Sequence, residues 1–385
     1  MHRRWLLIGG SVAVSLLAAV ALVVAARARL DADLAAREAA ALEELAAFAA
    51  QTEDTADDGA APSTTAPDSP PASLAPMPAD TAPALVPGEL LVVQRIPGDA
   101  YGTLAVVEPD GSRRPVEGLE DERCDRVHAG GGVLVCVRSD TAFGAPAAGT
   151  ATIRSLDDPT RPEIDWFPTG LPSRARVAPD GSRFAVTSFV TGHSYLAVGE
   201  FSTETVISTP RLGPGTVWGD AIEVRPDAER YRAVDGNWWG VTFVPGQPDA
   251  VYATYGSGGV AEVLRVDAAT GIAEPALPLG ACPSVSPDGR YVVFKRRVEG
   301  ASAPRSLIVR DLRSGEEWEL GETRFVDDQV EWLDDDTVLY AMNRDDATLV
   351  QPVADVWAVD VAPGAVPSVL VPFAASPARY LDTRA

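Results

Sequence analysis

Val177-Ala178-Pro179-Asp180-Gly181-Ser182-Arg183-Phe184-Ala185-Val186 is matched almost position for position by Val285-Ser286-Pro287-Asp288-Gly289-Arg290-Tyr291-Val292-Val293-Phe294. Each copy reads as a strand, a tight turn and a returning strand. Proline presets φ at the first turn position, aspartate tolerates the next, and glycine supplies a positive φ without a Cβ clash. Looser copies are Glu331-Trp332-Leu333-Asp334-Asp335-Asp336-Thr337-Val338, Thr242-Phe243-Val244-Pro245-Gly246 returning through Ala250 to Ala253, and Arg126-Val127-His128-Ala129-Gly130-Gly131-Gly132 returning through Val133 to Cys136. Aligned on the turn, they centre near Gly131, Gly181, Gly246, Gly289 and Asp335, at intervals of 50, 65, 43 and 46 residues. Propeller blades repeat every 40 to 50 residues or so, and one interval here carries an insertion.

Third and fourth strands follow the hairpins, as in Ser306 to Asp311 and Glu316 to Leu320, so each unit is a four-stranded blade. The segments Glu89 to Val93, Thr103 to Val107 and Arg113 to Val116 supply three outer strands and no inner one. Ser376 to Leu381 is expected to provide the missing inner strand and close the ring, leaving no open edge between first and last blade. The result is an all-β, six-bladed propeller over residues 88–385; seven blades of about 43 residues also fit the length, but the strand runs number six.

The preceding residues differ in texture. Trp5 to Ala26 carry no charge over 22 positions, enough for one transmembrane helix, so residues 1–29 read as an N-terminal anchor. A cleaved signal peptide is the alternative, but the apolar run exceeds a usual signal core. Either reading puts the bulk of the chain outside the cytoplasm, single-pass on the cell membrane or secreted. Residues 30–52, rich in Ala, Leu and Glu, read as a membrane-proximal helix. Residues 53–87, rich in Pro, Ala and Thr, read as a disordered linker that cannot bury enough apolar surface to fold.

The 385 residues carry a formal charge of -23, which argues against binding nucleic acid. Three Cys and three His give no disulfide-dense framework and no His-rich metal centre, and no cofactor is expected. Cys124 and Cys136 fall on one hairpin, where a cross-strand disulfide suits an oxidising compartment; two buried free thiols are the alternative. The sequence holds no Gly-x-Ser-x-Gly elbow, and Gly256-Ser257-Gly258-Gly259 reads as a hairpin turn. Asp334, Asp335 and Asp336 lack the frame and distal Glu of a calcium loop.

Residues leading into the inner strands ring one mouth of a propeller channel. Alignment of the repeats places Arg126, Arg174, Arg176, Trp238, Asp327, Asp328 and Gln329 there, with Asp235 and Asn237 just before it. Aromatic and mixed-charge side chains at a concave mouth suit a binding site, while mutual satisfaction with trapped water is the structural alternative. The Asp220 to Asp235 insertion is a second candidate for recognition.

The Pro-Asp-Gly hairpins resemble the WD40-like repeats of TolB-type β-propellers, over roughly Gly88 to Ala385. Asn237-Trp238-Trp239-Gly240-Val241-Thr242-Phe243, Cys282 to Gly289 and Val326 to Trp332 resemble membrane-anchored or exported TolB-like proteins of actinobacteria. A single lysine, Lys295, among the 32 basic residues agrees with a high-GC source. The resemblance implies an extracytoplasmic propeller with no activity assigned. TolB's separate N-terminal α/β domain is not matched, so a Tol-Pal role does not carry over. The expected function is a non-catalytic binding or scaffolding platform of the cell envelope, meeting a protein, peptide or cell-wall ligand at the channel mouth. An envelope hydrolase or lyase using Asp327, Asp328 and Asp235, and a ligand sensor for a membrane partner, are the alternatives.

Overall fold

In the computed structural model, the two Pro-Asp-Gly stretches form the turns their residues dictate. Val177 pairs with Phe184, the Gly181 N–H donates to Ala178 O at 2.8 Å, and Ser286 and Gly289 repeat the pattern. The aspartate does more than tolerate the turn. Asp180 Oδ1 accepts from the Ser182 N–H and hydroxyl, and Asp288 Oδ1 accepts from the Arg290 N–H and the Ser286 hydroxyl. A further turn of this kind, Pro109-Asp110-Gly111-Ser112, joins two outer strands, with Asp110 accepting from Ser112 in the same way.

The structure describes residues 85–140, 148–157, 163–166, 170–190, 202–210, 223–224, 233, 235–297, 305–344 and 351–384. The expected membrane span in 1–29, the helix of 30–52, the linker up to residue 84 and most of the Asp220 to Asp235 insertion lie outside them. The described residues contain no helix long and apolar enough to cross a membrane.

Among the described residues the strands form six sheets, antiparallel but for one edge pairing in the fourth, and each sheet is a blade. The first blade joins the chain ends, Ala374–Arg379 pairing with Leu90–Gln94, followed by Leu104–Val107 and Arg113–Pro115. The closing strand therefore begins two residues before Ser376. The second blade runs from Arg126–Gly130 through Val133–Asp140 and Ala148–Ser155 to Ile164–Trp166. The third consists of Gly170–Val177, Phe184–Val190 and Thr203–Ser208. The fourth runs from Asn237–Val244 through Gln247–Ser257 and Val260–Asp267 to Ile272–Leu277, with Glu223–Val224 added in parallel at its edge. The fifth begins with Gly280–Val285 and the sixth with the short strand Glu331–Trp332.

Alternation along each strand sends side chains to two different neighbours, which explains why the inner strands are buried at nearly every position and why the strand beside the closing one, Leu90 to Val93, is a continuous apolar run. Leu91 and Val93 pack with Val127, Ala129 and Leu134 of the second blade, while Leu90 and Val92 pack with Leu339, Val356 and Val371 of the sixth. Comparable layers lie between the second and third, third and fourth, fourth and fifth, and fifth and sixth blades. The core is thus a ring of inter-blade layers rather than one central mass.

Between the second and third blades the backbones themselves touch. A Cβ on Gly131 would lie 2.1 Å from Asp180 C and Gly181 N, and one on Gly181 would lie 2.1 Å from Gly131 O. The chain after the closing strand runs over this junction, with the Gly131 N–H donating to Leu381 O and the Thr383 N–H to Pro179 O.

Candidate functional site

Four of the inner strands are interrupted by a register shift near the point where they reach the channel. The shifts fall between Pro172 and Arg174, Trp239 and Thr242, Ala281 and Ser284, and in the closing strand opposite Leu91 and Val93. A bulge re-aims the side chains beside it. Gly240, Cys282 and Ser376 sit in these irregular stretches with φ of 62°, 51° and 48°. Glycine is needed at 240, because a Cβ there would lie 2.8 Å from Cys282 Cα. The turned-out Ser376 hydroxyl bridges to the second blade, accepting from the Val127 N–H at 2.9 Å and donating to Val127 O at 3.2 Å.

Two of these bulges, in the third blade and in the closing strand, border a small cavity that is partly open to solvent and has enclosed room for about one water-sized group. It is lined by Arg126, Arg174, Arg176, Asp328 and Gln329, together with Val127, Ala175, Ser376 and Pro377. Five of the sequence-predicted site residues therefore meet in one place, supplied by the second, third and sixth blades.

Gln329 acts across the channel: its Nε2 donates to Val241 O and Pro283 O, both at 2.9 Å, tying the sixth blade to the fourth and fifth. Asp328 is buried beside it. Its Oδ2 accepts from the Ala341 N–H at 3.0 Å and its Oδ1 from the Gln329 N–H at 3.1 Å. Burial alone would push the Asp328 carboxyl up, but the Arg126 and Arg174 charges and the Ala341 N–H hold it below the ordinary carboxylate range. Arg174 Nη2 and Lys295 Nζ both donate to the Asp327 carbonyl, at 2.7 and 2.8 Å. The Asp327 side chain itself is 57% exposed, at the mouth.

Deeper in the channel, Arg176 Nη1 pairs with Glu331 Oε2 at 2.9 Å and its Nη2 donates to Val330 O at 2.6 Å. His128 Nδ1 accepts from the Val177 N–H at 3.1 Å, which leaves Nε2 to carry the proton it shares with Glu331 Oε2, also at 3.1 Å. Burial lowers His128 below an ordinary histidine, outweighing Glu331. Burial likewise opposes ionisation of Glu331, yet Arg176 and His128 hold its carboxyl low. The geometry is that of a neutral imidazole between a main-chain donor and a carboxylate.

The remaining candidates lie elsewhere. Trp238 is buried in the layer between the third and fourth blades, with its ring 5.1 Å from that of Tyr255, and does not line the cavity. The reason is strand phase: Asn237–Val244 is buried on both faces, and Trp238 falls on the face toward the third blade. Asn237 Oδ1 accepts from the Thr203 N–H at 2.7 Å and its Nδ2 donates to Asp235 O, which fastens that same layer. Asp235 accepts from the Ser257 hydroxyl and the Gly258 N–H, capping the hairpin turn at Ser257 and Gly258. Its low carboxyl pKa comes from those two bonds.

Sequence reasoning missed Lys295, Glu331 and the role of His128, which is drawn to Glu331 in addition to lying near the Gly130 to Gly132 turn. A cation in the second strand of a blade, as the lone lysine among apolar residues Tyr291 to Phe294, was the available signal. Cys124 and Cys136 are joined as a disulfide with their Cα atoms 5.5 Å apart, and Cys282 is a buried thiol. Glu122 has an oxygen within 4.8 Å of both disulfide sulfurs, but a disulfide offers no thiolate, so the oxidised chain has no metal-ligand set there.

TolB from Acinetobacter baumannii superposes with a TM-score of 0.51 at 17% identity, over 76% of this chain and 67% of that one. The fold is a TolB-like β-propeller. A putative TolB from Agrobacterium tumefaciens gives a TM-score of 0.41 at 13% identity, over 76% of this chain and 92% of that one. An oligogalacturonate lyase from Vibrio parahaemolyticus gives 0.40 at 13% identity, over 68% and 72%. No family model and no curated protein sequence matches the chain. At such identities the likeness to the TolB-like propeller is one of fold, and the site must be read from its own residues.

Proposed function

We propose that the chain is a non-catalytic binding platform of the bacterial cell envelope, of actinobacterial type. In this reading residues 1–29 anchor it to the membrane, residues 53–87 space the propeller from the lipid, and a protein, peptide or cell-wall ligand docks at the channel mouth. The observation that carries the reading is the cavity itself, where polar groups of four blades converge: Ser376 from the first, Arg126 from the second, Arg174 and Arg176 from the third, Asp328 and Gln329 from the sixth. A concave site with a few convergent polar groups on a rigid scaffold is what recognition needs.

Asp328 and Asp235, two of the three carboxylates that a hydrolase or lyase would use here, are not placed as an acid and base pair. Asp328 has both oxygens engaged by main-chain N–H groups and is held ionised, and Asp235 caps a turn outside the cavity lining. The test is crosslinking in native membranes followed by mass spectrometry, with a reporter cysteine in the linker labelled from outside intact cells. Crosslinked peptides that map to the mouth, and a linker labelled before lysis, agree with the proposal. Crosslinks only to the outer rims of the blades, or labelling only after lysis, contradict it.

A further inference from the structure

The cations around the cavity are not equivalent. Arg174 is engaged with the carbonyls of Ser173 and Asp327, Arg176 with Val330 O and Glu331, and Lys295 with Asp327 O. Arg126 is different. Among the described residues its one hydrogen bond runs from Nε to Ser173 O at 3.4 Å, leaving both terminal nitrogens of the guanidinium without a partner, and it forms no ion pair. The Arg126 side chain is half-buried, and its guanidinium presents a planar fork that matches a carboxylate or a phosphate. Its surroundings also under-compensate it: burial lowers Arg126, and Arg174 and Arg95 oppose the pull of Asp328.

A second group in the same lining is unmet. Gln329 is 4% exposed, both bonds from its amide nitrogen go to main-chain carbonyls, and its Oε1 has no donor among the described residues. That fixes the amide orientation and leaves an acceptor awaiting an N–H or O–H.

We propose that the cavity recognises a carboxylate seated on the Arg126 fork, with an N–H of the same ligand meeting Gln329 Oε1, the arrangement offered by an acylated amino acid or the C-terminus of a peptide. The inference rests on the mouth being a binding site and names the chemistry it selects. Phosphate is the poorer fit, since its dianion brings a second negative charge to a protein of net charge -23 and its tetrahedral oxygens match a planar site less well than a carboxylate does.

The test is equilibrium titration of the full-length chain in detergent with N-acetylalanine, N-acetylalaninamide, acetate and inorganic phosphate. N-acetylalanine should saturate, and N-acetylalaninamide, acetate and phosphate should each bind at least about tenfold more weakly. Arg126→Gln should weaken N-acetylalanine by at least about tenfold, and Arg126→Lys, which keeps the charge but not the fork, by less. Thermal unfolding of both variants shows that they are folded, and the lysine variant carries the comparison if the glutamine variant is not. Failure of N-acetylalanine to saturate, equal binding of the amide or of phosphate, or no effect of either substitution overturns the proposal. A photo-crosslinker at the exposed Asp327 separates this failure from failure of the wider reading. Capture of an envelope partner there with no carboxylate preference sinks the carboxylate anchor alone; no capture sinks the mouth as a site.

Discussion

Replacing Gln329 with alanine should destabilise the whole propeller although the side chain belongs to a loop before the shortest inner strand. The substitution removes two hydrogen bonds of 2.9 Å and leaves Val241 O and Pro283 O, on two other blades, without that donor. A buried bond is worth about 1 kcal/mol net, and an acceptor left unmet costs about 1–3 kcal/mol, so the two together amount to roughly 2–4 kcal/mol after partial relaxation. At about 2 °C per kcal/mol for a domain of this size, the melting temperature should fall by about 4–8 °C. Gln329→Glu should cost at least as much, because a carboxylate of the same length cannot donate to either carbonyl. Differential scanning calorimetry of the full-length chain reads both changes. A melting temperature for Gln329→Ala within about 1 °C of wild type would refute the reasoning, since it would mean that the bridge across the channel contributes no net stability.

Trp238→Ala should cost about 3–5 kcal/mol in chemical denaturation, since the ring is 6% exposed between two blades; a loss below about 1 kcal/mol would move it out of the core. Breaking the Cys124–Cys136 bond by the double Ser substitution frees a loop of sequence separation 12 and should cost about 3 kcal/mol, read as a lower midpoint in urea that reductant no longer changes. The His128 cluster predicts acid sensitivity. A histidine lowered by folding is neutral in the native state, so below the unfolded value of about 6.5 the unfolded chain binds a proton that the native one refuses, and stability falls. Glu331, held low by folding, adds a further loss below about pH 4.5, as protonation breaks its pairing. Wild type should therefore lose stability from about pH 6.5 to 5 more steeply than His128→Gln, and parallel stability curves for the two would count against the neutral imidazole.

Much of the fold was legible because each blade writes its own local chemistry. The Pro-Asp-Gly turns and their looser copies, the spacing between them and the three orphan strands at residues 89–116 carry the blade number and the closure. The site was legible by position rather than by direction. Arg126, Arg174, Arg176, Asp328 and Gln329 converge because they lead the inner strands or lie in them, which repeat alignment reveals. Trp238 leads an inner strand too, yet its face is set by the phase of a strand buried on both sides and interrupted at Gly240, which no alternation of polar and apolar residues records. Lys295 and Glu331 were hidden for a related reason, since their partners, Asp327 O and the Arg176 and His128 side chains, come from other blades.

The claim at the centre of the account is that partners meet this protein at the channel mouth. Site-specific photo-crosslinking in native membranes tests it most directly, with the probe at Asp327, whose side chain is 57% exposed at the mouth, or at Val366, 81% exposed beside the outermost strand of the sixth blade. A discrete adduct from Asp327, diminished by Arg126→Gln and absent from Val366, is the predicted result. An adduct from Val366 with none from Asp327 would contradict it.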